Sequence, residues 1–212
     1  MGEHEAATRE WLLERFDVSR ETLDRLSAYV ALLVAEAGQH NLVAASTLPG
    51  VWDRHIRDSA QLLPLAEGTP ASWIDFGSGA GLPGLVLAIL GARHVTLVES
   101  RRLRIGFLEK ASGLLGLGEC VRIAGMAVER LEAARYDVIT ARAFTSLERI
   151  FAFGARFSDV STQWILPKGK TAAQELATAR KAWQGEFEIV ASETDPDAGI
   201  VLARNVKPGR AR

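Results

Sequence analysis

The chain has 212 residues, 48% of them hydrophobic and 24% charged, with a formal net charge of −1. This is the composition of a folded globular unit able to bury a full core, and the single Cys120 excludes a disulfide framework. A balanced charge also excludes capture of nucleic acid by an overall positive field, so any RNA contact must use local basic patches.

The N-terminal stretch is charged and helix-like, without the apolar character of a secretion leader. The most apolar run, Leu82 to Ala92, is too short to span a bilayer and is broken by proline and glycine. With an unpaired cysteine as well, a cytoplasmic protein with no membrane partner is expected. From Thr8 to Pro64 apolar residues recur at helical spacing. Trp11, Leu12 and Phe16 form one set; Leu23, Leu26, Val30, Leu33, Val34 and Ala37 form another. Ser19 is the expected N-cap of the second helix and Gly38 its stop. A third helix is expected over Val51–Leu63. Residues 1–66 thus read as an N-terminal helical cap.

Residues 67–212 change regime. Strands are expected at Ser72–Phe76, His94–Glu99, Val121–Ala124, Tyr136–Ala141 and Thr162–Leu166. Helices are expected at Leu82–Leu90, Arg101–Leu117, Ser146–Arg156 and Thr171–Trp183, with a short helical turn at Val128–Ala134. Two final strands, Glu186–Ser192 and Ile200–Asn205, have no helix between them and should form an antiparallel hairpin at one edge. The expected fold is therefore α/β and Rossmann-like: a seven-stranded, mainly parallel sheet with helices on both faces.

The strongest local signal follows the first strand: Asp75, Gly77, Gly79, Gly81, Leu82, Pro83, Gly84. A buried strand ends, glycines allow a sharp turn, and a helix begins. Glu99 closes the next strand at the spacing suited to a ribose diol. Read as Gly79-x-Gly81-x-x-Gly84, the loop also satisfies a dinucleotide fingerprint, so an NAD(P)-dependent oxidoreductase is one reading. Against it, Gly77 comes first after the strand, Pro83 removes an N–H where pyrophosphate would sit, and Asp75 suits a cation better than a diphosphate. S-adenosyl-L-methionine, with its sulfonium and ammonium, fits an acidic strand tip. Glu129, after Val128, falls where the adenine edge is expected, or is a solvated charge at a helix start.

Arg142 follows the fourth strand and so stands at the rim of the site. It is suited to guanine O6, a phosphate or a cofactor carboxylate, or to a structural ion pair with Asp75, Glu99 or Asp137. Lys168 and Lys170 follow the fifth strand, where phosphate contacts are useful. Arg101, Arg102, Arg104 and Lys110 form a basic helix face that is more commonly just solvated, and Lys207, Arg210 and Arg212 form a basic tail. Arg54, His55, Asp58 and Ser59 cluster on one helix expected beside the cofactor mouth. A hydrolase triad is not favoured there, because no nucleophile elbow is present. The chain has no Asn/Asp-Pro-Pro-aromatic tetrad and no Pro-Cys nucleophile, which points to a substrate atom that already carries a lone pair.

Taken in order, Asn41-Leu42-Val43, Arg54-His55-Ile56-x-Asp58-Ser59, Asp75 to Gly84, Thr96 to Ser100, Phe107-Leu108, Arg142-Ala143-Phe144 and Lys168-Gly169 resemble the ribosomal RNA small-subunit methyltransferase G family, also called glucose-inhibited division protein B. The likeness runs from about Asn41 to Lys207. It implies methylation at N7 of one guanosine in the decoding-region loop of 16S rRNA of the 30S subunit, with S-adenosyl-L-methionine as donor. Carried over by motif, the cofactor contacts are Gly77, Leu82, Val128, Glu129 and Arg142, beside Asp75, Gly79, Gly81 and Glu99 from the loop reading. Arg142 is the expected catalytic residue, and Arg54, His55, Lys168 and Lys170 the expected RNA contacts. A monomer without metal is expected. The remaining alternative is a non-catalytic RNA-binding assembly factor on the same fold.

Overall fold

The computed structural model describes residues 2–209, so Arg210 and Arg212 of the basic tail lie outside the described residues. Two helices open the chain, α1 (Glu3–Phe16) and α2 (Arg20–His40). The Ser19 hydroxyl accepts the Thr22 N–H at 3.3 Å, as an N-cap should. Gly38 does not stop α2. The helix continues to His40 and ends on Asn41, at φ 48°, a left-handed conformation asparagine tolerates well.

The expected third helix is not a regular one. Trp52–Arg57 is a π-helical turn, with the Asp58 N–H bonded to the Asp53 carbonyl, and it runs into the single turn α3 (Asp58–Ala60). The wider π turn changes which side chains share a face, and such turns frequently accompany functional sites.

The remaining elements alternate as expected: β1 (Trp73–Phe76), α4 (Gly84–Ile89), β2 (Val95–Val98), α5 (Arg102–Leu114), β3 (Val121–Ala124), β4 (Val138–Thr140), α6 (Leu147–Gly154), β5 (Gln163–Lys168) and α7 (Ala172–Ala179). The chain closes with β6 (Trp183–Ala191) and β7 (Gly199–Pro208). Trp183, read as the end of a helix, instead begins β6 opposite Pro208, and α7 stops at Ala179. The sheet order is β3-β2-β1-β4-β5-β7-β6, with β7 antiparallel to both neighbours. Every residue of β1 and β2 is buried, which is why these strands are apolar runs rather than alternating ones.

The cap and the sheet share one core. Leu12, Leu26, Tyr29 and Leu33 join Leu85, Val86, Phe107 and Leu108 on one face of the sheet, while Phe151, Phe157 and Trp164 fill the other. The expected boundary near residue 66 falls in the connection between Leu65 and Trp73, and apolar residues from both sides of it meet in the first cluster. Polar ties reinforce this contact. Lys110 pairs with Glu36 while staying exposed, and Arg104 donates to the Asn41 carbonyl at 3.0 Å, so two members of the expected basic face also tie α5 to α2 and its C-cap.

Candidate active site

The loop after β1 is held by its own backbone and by two carboxylates. Gly77 and Ser78 N–H both donate to the Val98 carbonyl, and Gly81 and Leu82 N–H to the Ser78 carbonyl. Gly79 N–H donates to Glu99 at 3.0 Å, and Gly84 N–H to Asp75 at 3.3 Å. Six of the loop's amides are thus engaged inside the protein and Pro83 has no N–H to offer, which counts against the dinucleotide reading of the loop.

The glycines are required by shape. Gly77 sits at φ +68° and a Cβ there would lie 2.3 Å from the Phe144 ring. Gly84 lets α4 approach so closely that a Cβ would lie 2.2 Å from Leu97. Asp75 is not at an open strand tip. It is 1% exposed, accepts from Thr140 at 3.1 Å as well as from Gly84, and burial pushes its carboxyl up to about 6 against these bonds. Tyr29 of α2, missed from the sequence, donates its buried hydroxyl to the Ala80 carbonyl at 2.8 Å and so braces the loop from the cap. Its position three residues after Leu26 was the available signal.

Two clefts open above the carboxyl ends of the strands. The first, about 380 Å³, is lined by Gly77, Val98, Glu99, Met126, Val128, Glu129, Phe144 and Phe153, among others. Glu99 stands at its base. Its carboxylate takes N–H bonds from Gly79, Ser100 (2.7 Å) and Arg101 (2.8 Å), with Arg104 at 3.8 Å. A carboxylate has about four acceptor positions, so one is left for a hydroxyl. Arg156 donates to the carbonyls of Glu129 and Leu131 and fixes the turn carrying Val128 and Glu129. This volume, lined by Val98, Phe144 and Phe153 and by Glu99 and Glu129 together with Arg101, Arg104 and Arg149, has the size and mixed lining to take a nucleoside. The second cleft, about 520 Å³, is lined by Thr47, Arg54, His55, Asp58, Arg142, Lys168 and the 192–200 segment, among others. Ala143, Phe144 and Thr145 line both clefts, and Ala143 bends the chain there at φ +50°.

Arg142 does not pair with Asp75, Glu99 or Asp137. Its Nη1 lies 2.9 Å from Asp58 and its Nη2 2.6 Å from His55 Nδ1. Ser59 is 3.5 Å from Nη1, so His55 of the π turn and Asp58 and Ser59 of α3 converge on Arg142. Asp58 also accepts from Gln61 (3.0 Å) and Thr194 (2.7 Å), and the Gln61 carbonyl oxygen accepts the Glu193 N–H at 2.7 Å. The π turn, β4 and the β6–β7 connection are thereby joined in one polar network. Asp137 instead accepts from the Ala71 and Ser72 N–H groups and holds the start of β1.

The expected RNA contacts divide. Arg54 is exposed at the second cleft. His55 is turned inward, 5% exposed. Lys168 is half-buried at the edge of the second cleft, paired with Glu175 at 2.8 Å, and donates to the Thr145 carbonyl. Burial raises the Glu175 carboxyl, yet the bonds from Lys168 and Thr171 hold it below the ordinary range overall. Lys170 pairs with Asp197 at the surface.

The sequence model of the family described as rRNA small subunit methyltransferase G matches residues 22–195. A ribosomal RNA small subunit methyltransferase G from Rhizorhabdus wittichii is 48% identical over 98% of this chain and 95% of its own length. One of the same description from Zymomonas mobilis subsp. mobilis is 46% identical over 95% of this chain and 94% of its own. Among solved structures, a mutant of MtNAS in complex with S-adenosylmethionine superposes with a TM-score of 0.60 at 15% identity, over 95% of this chain and 88% of that one. A methyltransferase from Geobacter sulfurreducens superposes with a TM-score of 0.59 at 16% identity, over 84% and 88%. These structural likenesses establish the fold.

Proposed function

This chain belongs to the rRNA small subunit methyltransferase G family, and on that premise we propose that it methylates N7 of one guanosine in 16S rRNA of the 30S subunit, acting as a cytoplasmic monomer. It is an S-adenosylmethionine-dependent rRNA methyltransferase with the Rossmann-like class I fold. The observation that carries the finer reading is the pair of clefts meeting at Ala143–Thr145, one suited to the donor and one open to a base.

S-adenosylmethionine, bound in the first cleft, supplies a sulfonium methyl group whose transfer to a lone pair needs no base. Gly77, Glu99, Val128 and Glu129 would hold its nucleoside. Gly79, Gly81 and Leu82 would shape the loop beneath it, and Asp75 would set a negative charge behind that loop. Val98, Phe144 and Phe153 would pack against the nucleoside, and Asp75 and Glu99 would set negative charge toward the donor's sulfonium.

The junction also favours an acceptor atom that carries no proton. The His55 Nδ1 lone pair faces Arg142, and the Asp58 carboxylate is engaged by Arg142, Gln61 and Thr194. Neither is free to remove a proton. An amine nitrogen or a hydroxyl would need such a base, whereas guanine N7 presents a bare lone pair. Because the guanine major-groove edge is unreachable in an A-form helix, the target base must lie in a loop or be flipped out. Arg142, with donors left over, would orient the base at its O6. Arg54 is the exposed cation for a phosphate beside it, while the ion pairs of Lys168 and Lys170 make them weaker candidates.

The test is transfer of labelled methyl from the donor to 30S subunits lacking the modification, followed by nucleoside analysis. 7-Methylguanosine at one position is expected, and no labelling of subunits already modified. Label in another base, or no label, overturns the reading. For the assignment of Arg142, Arg142→Ala should lose turnover, with a fall in S-adenosylhomocysteine affinity as the sign of a cofactor contact, and near-full turnover with unchanged cofactor affinity defeats it.

A further inference from the structure

We infer that His55 is a positioning residue for methyl transfer: as the Nε2–H tautomer, anchored on Thr47, it holds the guanidinium of Arg142 at the junction of the two clefts. The inference rests on the reading that Arg142 orients the target base.

The tautomer follows from a chain of bonds with one consistent direction. Arginine is a donor only, so the His55 Nδ1 that lies 2.6 Å from Arg142 Nη2 must carry a lone pair. The ring proton is then on Nε2, which donates to Thr47 Oγ1 at 2.8 Å. The Thr47 hydroxyl is free to accept because its own proton goes to the Ala44 carbonyl at 2.6 Å. Moving the ring proton to Nδ1 would set two donors against each other at Arg142.

The surroundings keep the imidazole neutral. Burial, then the charges of Arg142 and Arg54, push it down to about 4. Of the other charged groups around this cleft, the Asp58 carboxylate is bound to the same guanidinium, and Lys168 and Glu175 are paired with each other.

The result is a guanidinium held by two arms on its far side. Asp58 and Ser59 engage Nη1, and His55 engages Nη2. Three of the five guanidinium N–H donors are thus committed, and two remain for a ligand. Charge matters as much as geometry. Arg142 and Asp58 cancel, and a neutral His55 adds nothing. N7 methylation places a positive charge on the base, which a protonated imidazole at this point would oppose. A residue that accepts from Arg142 without carrying charge is what the position requires.

The test compares His55→Asn, whose side-chain oxygen replaces the Nδ1 acceptor, with His55→Phe, which keeps volume and removes it. His55→Phe should lose about 10- to 100-fold in kcat, the range for removing a hydrogen bond to a charged group. Its RNA KM and its S-adenosylhomocysteine affinity by calorimetry should stay within about twofold of wild type. His55→Asn should recover most of that kcat. Nitrogen NMR of the wild type should show a protonated Nε2 and an unprotonated Nδ1 from pH 6 to 8, independent of any turnover. Should His55→Phe not fold, Thr47→Val, which removes the Nε2 anchor, should lower kcat in the same direction.

The inference is overturned if folded His55→Phe turns over normally, or if His55→Asn is as impaired as His55→Phe. A spectrum showing Nδ1 protonated overturns it as well. Wild-type protein that shows the expected tautomer yet methylates no RNA would instead sink the functional reading on which it rests.

Discussion

Asp75→Asn should make this protein more stable and a poorer binder of its donor. In the fold the Asp75 carboxyl is pushed up to about 6 by burial, from 3.8 in an unstructured chain. That gap corresponds to roughly 3 kcal/mol favouring the protonated form. The sign follows from the raised value. The stabilising contribution is fully present below the unfolded value of 3.8 and is lost as pH rises through about 6. At neutral pH the wild type therefore carries an ionised buried carboxylate at a cost, and asparagine never ionises. The amide fits: its oxygen accepts the Gly84 N–H, and its NH2 donates to Thr140, whose proton turns to the Ile74 carbonyl at 3.4 Å. That last contact is long, which reduces the net gain to about 1–3 kcal/mol. Urea denaturation of both proteins at pH 5 and pH 7.5 measures it, and the gap should widen by about 1 kcal/mol over that interval. Calorimetry supplies the second half: affinity should fall more for S-adenosylmethionine than for S-adenosylhomocysteine, since only the former carries the sulfonium charge. A variant less stable at pH 7.5, or a gap that does not change with pH, refutes the argument.

Gly77→Ala combines a left-handed backbone, about 1–2 kcal/mol, with overlap against Phe144, about 1–3 kcal/mol. Displacement of Phe144 should cost at least tenfold in S-adenosylhomocysteine affinity, and wild-type calorimetry would contradict this. Lys168→Met leaves the half-buried Glu175 without its cation and should destabilise the fold by about 2–3 kcal/mol in chemical denaturation. The salt dependence of RNA binding should not change in that variant, and a slope reduced by about one would restore a phosphate contact to Lys168. Tyr29→Phe loses the bond to Ala80, about 1 kcal/mol, and should raise the donor KM with little effect on RNA KM. Equal changes in both constants would argue against a local brace.

Most features with a short-range cause could be read along the chain, although the end of α2 at His40, the π turn over Trp52–Arg57 and the end of α7 at Ala179 could not. Alternating apolar runs and helical spacing place the parallel core, and the missing helix before the last strand places the antiparallel edge. Gly77 to Gly84 with Glu99 mark the candidate donor site, because a strand, a turn and a helix start must follow one another along the chain. The clustering of His55, Asp58 and Ser59 was legible too from their spacing of three and four residues, although the turn that carries His55 is π-helical rather than α-helical. Tertiary structure alone decided which partners these groups took. Arg142 lies more than eighty residues from the π turn that holds it, and nothing in its neighbours distinguishes Asp58 from Asp75, Glu99 or Asp137. Lys168 reads as a free cation until α7 folds back to set Glu175 beside it. Pattern and propensity act over a few residues, whereas hydrogen bonds and ion pairs depend on angstrom-scale proximity between segments that only packing brings together.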